Sequence, residues 1–261
     1  MICIYANVID IVVKLPILAI KIWIKMNSLD LEVISFLNQF SQLSWTIDAT
    51  VRFISQNHLV KGGVLLIIFW WGWFNVRKNQ PLVQVHLIST LYSCFIAMAL
   101  ARGLALLLPF RFRPLHEESL SFILPYNMKL TAFDGWSSFP SDHAVLFYAL
   151  STGMFFISKK VGLFAIIYTT FFIGLPRIYL GLHYPTDIIG GALIGVVVTL
   201  LCQSNYFLKN VSQPTLSFSN SKPEVFYPLL FIVTYQIADM FDNSRHFISF
   251  IDSIISAIYA T

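Results

Sequence analysis

The chain has 261 residues, 57% of them hydrophobic and only 11% charged, with a mean hydropathy of +0.72 and a formal net charge of +4. Soluble domains carry roughly 25% charged residues, so this chain cannot clothe a water-soluble globule; its length suits one bundle of membrane helices, each of about 20 apolar residues. The basic residues fall in short clusters between apolar runs, a pattern of topology signals and not of a nucleic-acid surface, and Cys3, Cys94 and Cys202 form no CxxC pair, so neither a disulfide framework nor a cysteine metal site is implied.

In chain order, residues 1–25 place Asp10, Lys14, Lys21 and Lys25 on one helical face and read either as an interfacial helix or as a signal anchor. Residues 27–57 interleave apolar side chains with Asp30, Glu32, Gln39, Asp48 and Arg52. That stretch is too polar to span and reads as one or two helices lying in the interface. The apolar segments 60–76, 82–108, 141–158, 161–180 and 185–204 each suit a membrane-crossing helix, which satisfies its own backbone hydrogen bonds in lipid. Trp70, Trp71 and Trp73 close the first of these as an interfacial belt would. The Ser-, Asn- and Pro-rich stretch 204–224 reads as a loop, 225–241 as a shorter sixth membrane helix, and 246–260 as an amphipathic tail. The expected fold is therefore all-α, a polytopic bundle of about six spanning helices with N-terminal interfacial helices. Its divisions are an N-terminal extension (1–57), a catalytic membrane core (58–204) and a C-terminal loop with membrane helix (205–261).

If the segments alternate, one face receives Arg77, Lys78, Lys159, Lys160 and Lys209, and the other the 109–140 loop, whose cations are balanced by Glu117, Glu118 and Asp134. The positive-inside rule makes the first face cytoplasmic. On the opposite, outer face four helix ends converge, carrying Arg111 and Arg113, then Ser141 and His143, then Arg177, and finally His183 and Asp187. Ionisable groups bordering hydrocarbon are costly and functional by default. Phosphoryl transfer needs this set: forked cations for the phosphate oxygens, a nucleophile, and a proton donor for the leaving oxygen. Arg113 and Arg177 supply the forks, and Ser141 opens a helix whose free N–H groups favour an anion. One histidine attacks while the other protonates, and Asp187, four residues after His183, reaches its ring N–H. Taken singly, each residue has a plainer role: Ser141 as an N-cap, Asp187 as a first-turn acid, the arginines as interfacial anchors. Their conjunction on one face favours catalysis. His58, His86, His116 and His246 lack such company. Adjacent arginines would repel a cation, so no metal is expected.

These residues resemble the type 2 phosphatidic acid phosphatase family, which includes the lipid phosphate phosphatases and is related to vanadium haloperoxidases. Its blocks are K-x6-R-P, P-S-G-H and S-R-x5-H-x3-D. Arg113-Pro114 matches the end of the first block, Pro140, Ser141 and His143 the second, and Arg177, His183 and Asp187 the third, over roughly residues 60–204. The resemblance implies that His183 forms a phosphohistidine, Asp187 orients it, His143 protonates the leaving oxygen, and Arg113, Arg177 and Ser141 hold the phosphate, without metal or cofactor. Three positions depart from the pattern. Leu106 stands where the first-block lysine would fall, with Arg102 or Arg111 as its replacement and Arg111 preferred as a phosphate ligand. Asp142 replaces a glycine, and Pro176 a serine.

The reading is an integral plasma-membrane phosphatase facing the exterior. Its partners are the bilayer and a lipid substrate of the phosphatidic acid, phosphatidylglycerophosphate or undecaprenyl diphosphate class. The 109–140 loop, with Phe122, Leu124, Tyr126, Phe133 and Trp136, would lie over the site. A phosphotransferase of the same fold would use the same residues, and a non-catalytic lipid-binding protein would not need the proton donor.

Overall fold

The computed structural model describes residues 26–75, 82–243, 250, 251 and 253. The expectations for residues 1–25, for the Arg77–Lys78 pair and for most of the 246–260 tail lie outside the described residues. Two short helices, α1 (Ser28–Asn38) and α2 (Trp45–Gln56), lead into α3 (Leu59–Phe74), whose first turn, Leu59–Gly63, is widened. The long α4 (Leu82–Leu107) ends at the 108–141 loop. After it come α5 (Asp142–Gly153, tightening at Met154–Phe156), α6 (Lys159–Tyr179), α7 (Pro185–Cys202), α8 (205–221) and α9 (Pro223–Asp239). The described residues contain no strand.

The helical bundle is the one the composition predicts. By length and apolarity α4, α6 and α7 each suffice to cross a membrane, and α2 with α3 supply a fourth span if that pair, bent by 64°, is one crossing. One expected span is shorter than predicted: α5 has 12 residues before its tightened turn, whereas α9, with 17, keeps the expected length. At 1.5 Å per residue, α5 falls short of the roughly 30 Å hydrocarbon layer. Its faces are covered by protein, since Ala144 to Phe147 and Ala149 to Gly153 are buried. Trp73 also departs from the interfacial belt. It is fully buried, stacked between Phe69 (6.2 Å) and Phe226 (5.9 Å), whereas Trp71 stays exposed.

Small residues let α5 sit at the centre. On α7, Gly191 and Gly195 face its backbone: a Cβ at 191 would come within 2.7 Å of the Ser141 carbonyl oxygen, and one at 195 within 2.4 Å of that of Val145. This i, i+4 pair is the small-xxx-small device by which membrane helices approach closely. Hydroxyl groups join the same helices, Ser93 to Thr199 (2.9 Å), Ser89 to the Cys202 carbonyl (2.6 Å) and Ser151 to Thr169 (2.8 Å). Such bonds replace the water that hydrocarbon lacks. The consequence for the site is direct: the N-termini of α5 and α7 lie side by side, with Ser141 N–H donating to the Asp187 carbonyl at 3.2 Å.

Two polar segments take forms the sequence did not suggest. The predicted loop 204–224 is mostly helix. Its polar side chains turn back onto their own helix, Asn210 to the Tyr206 carbonyl and Thr215 to that of Val211 (both 2.8 Å), and Pro214 follows the widened stretch Leu208–Ser212 inside α8. In α1 and α2 Glu32 is exposed, but Asp30 and Asp48 are wholly buried. Asp48 accepts from the Tyr179 hydroxyl, from Gln42 N–H (3.1 Å) and from Tyr126 N–H (2.8 Å), tying α2 to α6 and to the 108–141 loop. Asn38 holds that loop as well, through Ile123 N–H (2.8 Å) and the Ile123 carbonyl (2.7 Å). The boundary expected at residue 57 thus cuts through a connected set of side chains.

Candidate active site

A cavity of about 700 Å³ opens where these elements meet. His143, from the first turn of α5, lines it beside Arg177 near the end of α6, His183 before α7, and Arg113 after α4. The 108–141 loop contributes Phe133 and Trp136, two of the aromatic residues expected over the site. Phe133 lies beneath both guanidinium groups, 4.8 Å from that of Arg113 and 5.8 Å from that of Arg177. A flat cation stacked on a ring keeps its N–H edge available for oxygen ligands.

The His183 ring is fixed by backbone. Its Nδ1 lies 2.8 Å from the Ser138 carbonyl oxygen. A carbonyl only accepts, so Nδ1 carries the proton and Nε2 keeps its lone pair. Asp187 Oδ2 is 3.7 Å from Nδ1, within ion-pair range but beyond a hydrogen bond, so the backbone carbonyl takes the tautomer-fixing role expected of Asp187. The Asp187 carboxylate, fully buried, accepts instead from the Ser138 hydroxyl, from Arg111 and from Tyr184 N–H (2.7 Å), which closes a capping box at the start of α7. Asp187 therefore steers the Ser138 segment and offers negative charge to an imidazolium. Burial pushes the His183 pKa down to about 4, helped by the positive charges of Arg113 and Arg177 and opposed by Asp187. The ring is neutral at pH 7, as a nitrogen nucleophile requires.

The two cavity arginines are held from behind. Arg113 donates to the Leu182 carbonyl (2.7 Å), with its Nη1 3.5 Å from His183 Nε2. Burial lowers its pKa to about 10, which leaves it charged at neutral pH. Arg177 donates to Ser55 Oγ of α2 (2.9 Å), and its Nη2 lies 3.1 and 2.9 Å from the ring nitrogens of His143. Ser141 caps α5, its hydroxyl accepting from Ala144 N–H at 3.5 Å.

Arg111 occupies a different place from the one the sequence suggested. It is 5% exposed and is not among the cavity-lining residues. It bridges two buried carboxylates, Asp187 and Asp30 (2.6 Å), donates to Thr186 Oγ1 (2.9 Å), and stacks on Tyr184 at 4.0 Å. Arg102, the other candidate for the absent lysine, is engaged too: it grips Asp142 through Nε (3.0 Å) and Nη2, and lies over Trp136. The acid that replaces the glycine thus has its own counter-ion. Leu106 is 88% exposed on the outer surface of α4.

Residues 108–210 match the model of the PAP2 superfamily. The match covers 103 of the 261 residues. All three sequence blocks that line or brace the cavity fall inside that stretch. Bacitracin transport permease protein BcrC of Bacillus licheniformis is 28% identical over 175 residues, covering 67% of this chain and 79% of the relative. Undecaprenyl-diphosphatase BcrC of Bacillus subtilis is 26% identical over 171 residues, 65% and 80% of the two chains. Among solved structures, a transmembrane PAP2-type phosphatidylglycerolphosphate phosphatase from B. subtilis aligns with a TM-score of 0.49 at 18% identity, covering 74% of this chain and 93% of its own. The structure adds participants that sequence reasoning missed. Asp30 was one acid among several polar residues of an interfacial stretch, with no mark to single it out. Ser55 had none, and neither did the Ser138 carbonyl, a group every residue type supplies.

Proposed function

We propose that this protein is a membrane lipid phosphatase that works through a phosphohistidine on His183. The observation that carries the reading is the state of that ring: Nδ1 is occupied by the Ser138 carbonyl, Nε2 lies 3.5 Å from Arg113 Nη1, and His183 lines a cavity together with His143, Arg113 and Arg177. In the first step the Nε2 lone pair attacks phosphorus, the bond to the lipid oxygen breaks, and protonated His143 delivers its proton to that oxygen. Arg113, Arg177 and the start of α5 take up charge on the equatorial oxygens. The phosphorylated ring gains positive charge, stabilised at Nδ1 by the Ser138 carbonyl and by the Asp187 carboxylate. In the second step neutral His143 draws a proton from water, whose oxygen displaces His183 and releases inorganic phosphate. Each step is completed by side chains and water.

The substrate is a phosphomonoester or diphosphate of a membrane lipid, and the named activity of the B. subtilis relative favours the polyprenyl diphosphate class. The site faces the exterior of the plasma membrane, a placement supported by the Lys159, Lys160 and Lys209 cluster at the other ends of the helices. The working unit includes α1 and α2, which hold Arg111 and Arg177, together with the core from residue 58. The test is phosphate release in detergent micelles containing EDTA across phosphatidic acid, phosphatidylglycerophosphate and undecaprenyl diphosphate. The expected result is EDTA-resistant hydrolysis that His183→Ala abolishes; full activity in that variant refutes the mechanism.

A further inference from the structure

We infer that Arg102 is a positioning residue of this site: it holds the Asp142 carboxylate neutralised at the cavity wall, so that a phosphate binds beside an acid that would otherwise repel it. The inference rests on the phosphatase reading above and adds to it a side chain that does not itself line the cavity.

Asp142 opens α5 immediately before His143 and lines the cavity with it, alongside Arg113, Arg177 and His183. The family pattern has glycine at this position, so the carboxylate departs from that pattern and brings a negative charge to a wall that receives an anion. Like charges brought together out of bulk water repel strongly. As the first residue of a helix, Asp142 also occupies the positive end of the helix dipole, for which a bare carboxylate would compete with the phosphate.

Arg102 removes the conflict. It comes from α4, 40 residues away in the chain, and engages both carboxylate oxygens, Nε with Oδ1 at 3.0 Å and Nη2 with Oδ2. Arginine makes this forked pairing and lysine cannot. The guanidinium also lies over the Trp136 ring, 5.2 Å from its centroid. Trp136 is itself a cavity residue, and its backbone carbonyl accepts from Arg113 Nε at 3.3 Å. One guanidinium thus joins α4, the first turn of α5 and the 108–141 loop at the phosphate-binding end. An ion pair free in solvent contributes little, but Asp142 is only 15% exposed, and its partner is held by two oxygens and a ring. Both charges reach a phosphate-binding side chain. Besides burial, which lowers the Arg113 pKa, and Asp187, which raises it, the Asp142 carboxylate raises it and the Arg102 guanidinium lowers it. At Arg113 the two charges therefore offset each other.

The experiment uses the full-length protein in micelles, with inorganic phosphate as the inhibitor of lipid hydrolysis. Arg102→Met leaves the carboxylate unneutralised and is expected to weaken phosphate inhibition, and to lower kcat/KM, by about 10- to 100-fold, mainly through KM. Asp142→Asn leaves the guanidinium without its counter-ion and is expected to tighten phosphate inhibition by about threefold or more. The double variant Arg102→Met/Asp142→Asn is expected to return to within about threefold of wild type. A pair that serves only as a strut between α4 and α5 gives a different pattern, because either single variant breaks the strut and both then weaken inhibition. Phosphate inhibition within twofold of wild type in Arg102→Met, or unchanged or weakened inhibition in Asp142→Asn, overturns the inference; with His183→Ala inactive, the phosphatase reading still stands. A wild-type protein releasing no phosphate from any of the lipids overturns that reading, and this inference with it. Should Arg102→Met fail to fold, Asp142→Asn decides by the sign of its effect.

Discussion

Removing the Asp30 carboxylate tests whether α1 belongs to the catalytic unit. Asp30 is fully buried and 2.6 Å from Arg111, and it also accepts from Thr186 N–H (3.1 Å) and Thr186 Oγ1 (2.9 Å). In Asp30→Ala the guanidinium keeps Asp187 but loses its second partner, and the Thr186 N–H loses its acceptor. The guanidinium stays paired with Asp187, so the cost is that of the lost charge-assisted bond and the unsatisfied Thr186 N–H, about 1–3 kcal/mol. In the double variant Asp30→Ala/Arg111→Met the buried Asp187 carboxylate loses its guanidinium, so it is expected to be less stable than Asp30→Ala alone, a difference read by a double-mutant cycle. The assay is unfolding of the purified protein in micelles, followed by helicity, alongside phosphate release. Because Arg111 then loses its only carboxylate on α1 and keeps Asp187 and Thr186 Oγ1, Asp187 shifts relative to Ser138, and kcat falls by about tenfold or more, with KM less affected. Asp30→Ala unfolding within about 1 kcal/mol of wild type, with normal kcat, would refute the role of α1.

Three further outcomes follow from the geometry. His143→Ala is expected to lose about 10²–10⁴-fold in kcat on a lipid substrate but far less on p-nitrophenyl phosphate, whose leaving group needs no proton; equal losses on both would deny His143 the acid role. Because the folded pKa of His183 is about 4 and an unfolded histidine titrates near ~6.5, the unfolded chain binds the proton first on acidification, so this group's stabilising contribution is lost as pH falls from about 6.5 toward 4. The nucleophile limb of kcat/KM should likewise lie near pH 4, and a limb near 6.5 in a pH–rate profile would contradict the burial of that ring. Gly195→Ala places a Cβ against the Val145 carbonyl oxygen and is expected to destabilise the bundle by about 1–3 kcal/mol, measured by the same unfolding assay.

How much of this could be read in the chain differs by residue. The helices α4, α6 and α7 were legible because hydrocarbon admits few alternatives: a long apolar run must be helical to pair its own backbone. His143, Arg177, His183 and Asp187 were legible as a group because the alternation of such helices brings their ends together. Segment 204–224 was misread as a loop because Ser, Asn and Thr favour turns only until packing against α4 and internal side-chain bonds offer the helix more.

What the sequence by itself determined is the solvent in which the chain folds and the chemical vocabulary of its outer end, since both follow from residue type and spacing along one strand of text. Tertiary structure alone decided the assignment of partners. Arg111 turned from the cavity to Asp30, 81 residues away, Arg102 to Asp142, and the Ser138 carbonyl, not Asp187, took the proton-bearing nitrogen of His183. Charges separated by tens of residues carry no local mark of which will meet. In a low-dielectric interior each must find an opposite charge or a polar group, and only the packed backbone settles which one is within reach.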